Sequence, residues 1–344
     1  MAKIGEQQLK EQVKSGAFKN VYLFYGEESY LKEYYVNKLK EKLVAPAFAD
    51  FNFHQHEGKN STLEDILTDT EIVPMMSEYS LVLVHDFPFD KNGDVDKLKE
   101  FFKDVPEFCV LIFWYDSIEL DTKRSSKWSG LVTAFSKAGD AVNLEKRTEG
   151  ELIKLVMNSA KKRGCSIERQ RAQYFISVVG SDIQTIFNEL EKICAFVQSG
   201  EITKKHIDDL AVKCLQARVY DLSKFILKGN SDGAFGVLNV LFAQKEEPIS
   251  VLAVISSCYV DMYRVKCAKA AGEQANDIAN YFSYKGREFL IQNAARDSAN
   301  ISVQALRASL DVISLADEKM KSTAIDKNLL LEETVAKLLM LRAR

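Results

Sequence analysis

The chain is poor in the residues that usually build a reaction centre. It has only four histidines, and none of its six cysteines forms a Cys-x-x-Cys pair. Zinc sites and dithiol redox centres draw on such pairs or on His/Cys clusters, so neither is indicated. Cys109, Cys165, Cys194, Cys214, Cys258 and Cys267 stand singly, most of them within apolar patterns, and read as reduced thiols. His54 and His56 alternate as strand residues do, but no third ligand follows at metal spacing, so they read as ordinary histidines. No serine sits in a Gly-x-Ser-x-Gly elbow. No catalytic residue, metal or cofactor is expected. Long apolar runs are also missing, and Met1-Ala2-Lys3-Ile4-Gly5-Glu6 carries no signal-peptide core, so a cytoplasmic protein with no membrane partner is expected. A formal net charge of −3 supplies no basic surplus for gripping nucleic acid unaided.

What is present is an ordinary globular composition, 47% hydrophobic and 28% charged, over 344 residues, enough for two or three domains. The first part alternates strand and helix signals. Apolar runs at Val21 to Tyr25, Phe51 to His54, Leu81 to His85, Phe108 to Trp114 and Ala141 to Leu144 lack the in–out alternation of half-exposed strands. Amphipathic stretches separate them: Tyr30 to Val44, Leu63 to Asp69, Val95 to Phe102 and Ser126 to Lys137. That order predicts a mostly parallel sheet covered on both faces. From Thr148 onwards the strand signals stop. Thr148-Glu149-Gly150-Glu151 reads as a capping box, a helix fits Arg169 to Val179, Ser181 caps the next, and Thr203 caps a short fourth. Further long helices fit Ile249 to Ala270, Ser302 to Lys321 and Asp326 to Arg342.

One junction in this pattern stands out. The apolar run Val21-Tyr22-Leu23-Phe24-Tyr25 ends at Gly26, and a helix follows at once. A nucleotide-binding P-loop sits in such a strand–turn–helix context, but it needs G-x-x-x-x-G-K-[ST] to cradle phosphates with backbone amides and neutralise them with lysine. No Gly-Lys-Ser/Thr is present, and Glu27 and Glu28 follow the glycine, where they would repel a triphosphate. His85-Asp86 ends a strand where an ATPase of this architecture carries its acidic pair, and Asp86 is expected to act as a strand-end cap. The pattern is a nucleotide-binding scaffold without the nucleotide chemistry.

The turn Gly26-Glu27-Glu28-Ser29-Tyr30-Leu31, the stretch Gly180-Ser181-Asp182-Ile183 with Asn188-Glu189-Leu190-Glu191-Lys192-Ile193, and Asp317-Glu318-Lys319-Met320-Lys321-Ser322-Thr323 resemble the delta subunit of the bacterial DNA polymerase III clamp loader. They fall in the family's order, over essentially the whole chain. The resemblance implies an α/β plus all-α fold in three parts. These are an AAA+-like clamp-binding domain without an ATP site over 1–145, a helical lid domain over 146–213, and a helical collar domain over 214–344. It implies that the protein binds and opens the sliding clamp (beta) without hydrolysing ATP, beside the gamma/tau and delta prime subunits, with primed DNA entering the assembled complex. ATP binding to those other subunits would control exposure of the clamp-binding wedge. The wedge maps onto Val73, Met75 and Met76, with Ile72 as a contributor; Pro74 stands where the family carries a small polar residue. Read without the resemblance, Val73 and Met75 would cap the core beneath the sheet.

Three further features remain, two of them with two readings. Lys123, Arg124 and Lys127, beside Trp128, form a possible DNA contact or a solvated helical turn with one packed aromatic. Lys161-Lys162-Arg163 answers a helix dipole. Tyr259, Met262, Tyr263 and Val265 are helix core or an inter-subunit seam. The rival functional readings are a degenerate AAA+ ATPase and a general helical adaptor.

Overall fold

The structure is a computed structural model that describes residues 5–89, 95–282, 284 and 289–342. The chain folds as two compact units, one ending at Arg147 and the other beginning at Thr148. No helix among the described residues is long and apolar enough to cross a membrane.

The first unit holds a five-stranded, all-parallel sheet of β1 (Val21–Tyr25), β2 (Phe53–Glu57), β3 (Ser80–His85), β4 (Cys109–Trp114) and β5 (Asp140–Asn143). Their order across the sheet is β2-β3-β4-β1-β5. Strands β1, β3 and β4 lie in the middle, and nearly every residue in them is buried, which is why they read as unbroken apolar runs. Helices cover both faces. On one side lie α1 (Glu6–Ser15) and α2 (Ser29–Leu43); on the other lie α4 (Leu63–Thr70), α5 (Val95–Phe101) and α6 (Ser126–Ala138). A four-residue helix α3 (Ala49–Asn52) leads into β2.

The start of the second strand differs from the sequence expectation. The second strand begins at Phe53 rather than Phe51, because β2 is a polar edge strand and Phe51 is the exposed third residue of α3. Asp86 follows β3 in the left-handed region at φ 50°, a conformation that a tight loop imposes on a non-glycine residue.

The second unit is helical, with α7 (Glu149–Lys162), α8 (Arg169–Val179), α9 (Ile183–Val197) and α10 (Lys204–Leu210) followed by α11 (Leu215–Lys228), α12 (Ser231–Ala243), α13 (Pro248–Ala270), α14 (Phe289–Asp297), α15 (Val303–Ser322) and α16 (Lys327–Arg342). The capping boxes of Thr148 and Thr203 form; α9 is capped by Asp182, not Ser181, through a bond from the Thr185 amide. Strand structure does not vanish entirely after Thr148: β6 (Cys165–Ser166) and β7 (Gly200–Glu201) pair in parallel. Helices α11 to α16 share a core of their own, in which Tyr259, Met262 and Val265 are buried, so these three are core residues within the chain.

Candidate functional site

In an open parallel sheet, ligands bind outside the carboxyl ends of the strands where the strand order reverses. Here that place lies beyond β1, between β4 and β5. It is built from the turn after Gly26, the segment Tyr115 to Ile118 after β4, Asp86 after β3, and Leu144 after β5. Gly26 is required on two counts. Its φ is 112°, and a Cβ would stand 2.4 Å from the Leu144 carbonyl oxygen. The next turn amide that a phosphate would need is already used, because Glu28 N–H donates to Leu144 O at 2.9 Å. Glu28 itself is buried at the start of α2, whereas Glu27 faces solvent.

The cleft also contains a cation that the sequence motif concealed. Lys32 stands six residues after Gly26, the spacing of a P-loop lysine, but between Leu31 and Glu33 instead of Gly and Ser/Thr. Its side chain is almost fully buried. Nζ donates to the carbonyls of Gly26 at 2.8 Å and Tyr115 at 2.6 Å, and lies 3.4 Å from Asp116 Oδ1. Ser29 Oγ donates to the same carboxylate. Desolvation lowers the Lys32 pKa, against the opposing pull of Asp116, Asp86 and Glu28. The ammonium is thus turned inward onto protein carbonyls.

Asp86 acts as the strand-end cap expected of it. Its carboxylate accepts the backbone N–H groups of Asp116 at 2.8 Å and Ser117 at 2.9 Å. Burial works to raise its pKa, and the donors of Asp116 and Ser117 outweigh that and hold it below the ordinary value. His85 stacks on Trp114 at a centroid distance of 4.2 Å and meets Glu57 at 3.0 Å. His56 meets Asp69 at 2.8 Å and Ser61 at 3.2 Å. No group of three or more His, Cys, Asp or Glu side chains placed to hold a metal occurs among the described residues.

A second surface lies in the segment between α4 and β3. Ile72, Val73, Met75 and Met76 are 40%, 71%, 48% and 78% exposed, so none of them is holding the fold together. The loop is nonetheless fixed. The buried Asn52 accepts the Met75 N–H at 2.6 Å and donates its Nδ2 to Met75 O at 2.8 Å. Met76 takes a left-handed φ of 52°, and Pro74 restricts both itself and Val73. Nothing in the sequence signals Asn52, because its partner is a backbone group 23 residues away.

The basic cluster is divided by its own packing. Lys123, Arg124 and Lys127 are exposed, while Trp128 is buried and packs edge-on against Tyr115 at 5.7 Å. Trp128 is therefore no stacking platform for a base. Arg124 lies 3.8 Å from Asp121.

Comparison with known proteins places these features in a family. Residues 22–145 match the family model described as DNA polymerase III, delta subunit, and residues 216–338 match that of the delta subunit's C-terminal domain. Residues 148–209 match a model described as a middle domain. The chain is 25% identical over 337 residues to DNA polymerase III subunit delta of Bacillus subtilis (strain 168), covering 95% of each. It is 22% identical over 312 residues to the "Probable DNA polymerase III subunit delta" of Aquifex aeolicus (strain VF5), covering 83% of this chain and 84% of that one. Its fold is shared with the solved Bacillus subtilis DNA clamp loader delta protein, at a TM-score of 0.60 and 24% identity, over 97% of this chain and 99% of that one. Matched in both its α/β and its C-terminal helical part, the chain belongs to the family of DNA polymerase III delta subunits.

Proposed function

We propose that this protein binds the sliding clamp through Val73, Met75 and Met76 and favours its opened form, without binding or hydrolysing ATP. The observation that carries this reading is the exposure of those three side chains on a loop whose backbone is fixed. Apolar anchors on a rigid loop are suited to a pocket on a partner, and unbranched methionine stems adapt readily to its shape. A partner opens a closed ring only by binding the open state more tightly, so the differential affinity of this loop sets the work it performs. The filled cleft supports the absence of nucleotide chemistry. A triphosphate would meet Glu27 and an amide already bonded to Leu144, while the lysine at motif spacing is engaged by Gly26 and Tyr115.

Three roles complete the reading: an α/β clamp-binding domain over 1–145, a lid over 146–213, and a collar over 214–344 that joins the other loader subunits, gamma/tau and delta prime. Lys123, Arg124 and Lys127 are candidate contacts to primed DNA in the assembled complex. The site of action is the cytoplasm. Co-elution of the purified protein with its organism's sliding clamp, with no need for added ATP, tests the proposal; separate elution at micromolar concentrations contradicts it.

A further inference from the structure

We infer that Asn52 is a positioning residue for clamp binding: its carboxamide holds the Met75 peptide and so pre-sets the side chains of Met75 and Met76 for their pocket. The inference rests on the reading of this loop as the clamp-binding surface. Asn52 is fully buried at the end of α3, and its side chain makes both of the hydrogen bonds a peptide unit can return, 2.6 Å from Met75 N and 2.8 Å from Met75 O. With N–H and C=O both engaged, the Met75 backbone has little left to offer a partner strand, and recognition falls to side chains.

The geometry on either side of Met75 explains why such a hold matters. Val73 precedes a proline, which disfavours helical backbone at Val73, while Met76 sits at φ 52°, a left-handed region that non-glycine residues rarely adopt. A strained turn of this kind persists only when its surroundings over-determine it, and Asn52 supplies that restraint at the adjoining residue. Released from Asn52, the turn is free to relax and the two methionines to sample many orientations. Ordering them again on binding costs affinity even though no contact with the clamp has been removed.

The test is a double-mutant cycle on the full chain, read as clamp affinity. Asn52→Ala is expected to weaken clamp binding about tenfold in the otherwise native protein, and by less than about twofold when Met75 and Met76 are already alanine. Should Asn52→Ala fail to fold, Asn52→Asp keeps the shape but sets an oxygen against Met75 O, and is expected to give the same pattern. Equal losses in both backgrounds, or no loss in the native one, overturn the positioning role. Failure of the wedge reading itself looks different: the Met75→Ala, Met76→Ala protein would then bind the clamp as tightly as the native chain.

Discussion

The ammonium of Lys32 lies 2.8 Å from the carbonyl oxygen of Gly26, closing on itself the turn that in a nucleotide-binding protein would close on a phosphate. The same nitrogen reaches Tyr115 O at 2.6 Å, so one side chain ties the loop after β1 to the loop after β4. A lysine stands at P-loop spacing, but its partners are backbone carbonyls. Charge that would neutralise a ligand instead satisfies buried carbonyls, and the cleft becomes part of the core.

Replacing Lys32 by Met keeps most of the volume but leaves Gly26 O and Tyr115 O without their donor. Buried acceptors left unmet cost about 1–3 kcal/mol each, and relief of the cation's own desolvation offsets part of that. A net loss of about 2–4 kcal/mol is expected, visible as a melting temperature lower by several degrees. An unchanged melting temperature would show that the tie carries no stability.

Nucleotide is expected not to bind. Calorimetric titration with ATP and Mg²⁺ should give no saturable heat up to millimolar concentrations. A micromolar dissociation constant would sink the account of the cleft.

Asp86 gives the stability a defined acid dependence. Its folded pKa is held below the ordinary carboxylate value of about 4 by the Asp116 and Ser117 donors acting against burial. A depressed carboxylate contributes stability that is fully present above the unfolded pKa and lost as pH falls through the folded one. Asp86→Asn should therefore cost about 1–3 kcal/mol at pH 7, with the gap to the native protein narrowing below pH 4. Urea denaturation at pH 7 and pH 3 measures both; a gap that stays constant contradicts the assignment.

Assembly is expected to depend on the last six helices. Because α11 to α16 have a core of their own, a chain truncated after Val212 should remain folded by circular dichroism. It should bind the clamp and fail to enter a complex with the other loader subunits in gel filtration. Recovery of an intact loader with the shortened chain would remove the collar role.

Much of this structure was legible in the sequence, for physical reasons that also mark where legibility ends. Strands β1, β3 and β4 announce themselves because both faces are buried, and α7 and α10 because their caps are written as Thr-x-x-Glu and Thr-x-x-His. Edge strand β2, Phe-His-Gln-His-Glu, has no apolar pattern to read, and the two-residue strands β6 and β7 are too short to carry any. The sequence could not say whether Tyr259, Met262, Tyr263 and Val265 are covered by neighbouring helices or by another subunit; in the structure Tyr259, Met262 and Val265 are buried in the helical core and Tyr263 packs half-buried against it. At the cleft, the missing glycine and hydroxyl of the P-loop motif were plain, but Lys32 was hidden between Leu31 and Glu33. In the loop between α4 and β3, family likeness singled out Val73, Met75 and Met76 as the proposed wedge, while their exposure and the hold of Asn52 on Met75 exist only in three dimensions.

The most direct measurement pairs clamp affinity with thermal melting for the Met75→Ala, Met76→Ala protein. Pocket-seated apolar anchors each cost on the order of 2 kcal/mol or more when truncated, so clamp binding should weaken roughly a hundredfold or more. Because Met75 and Met76 are 48% and 78% exposed, stability should fall far less than the roughly 2–5 kcal/mol expected for each buried methionine. An unchanged affinity for the clamp would contradict the central claim, and the clamp-binding surface would then lie elsewhere on the protein.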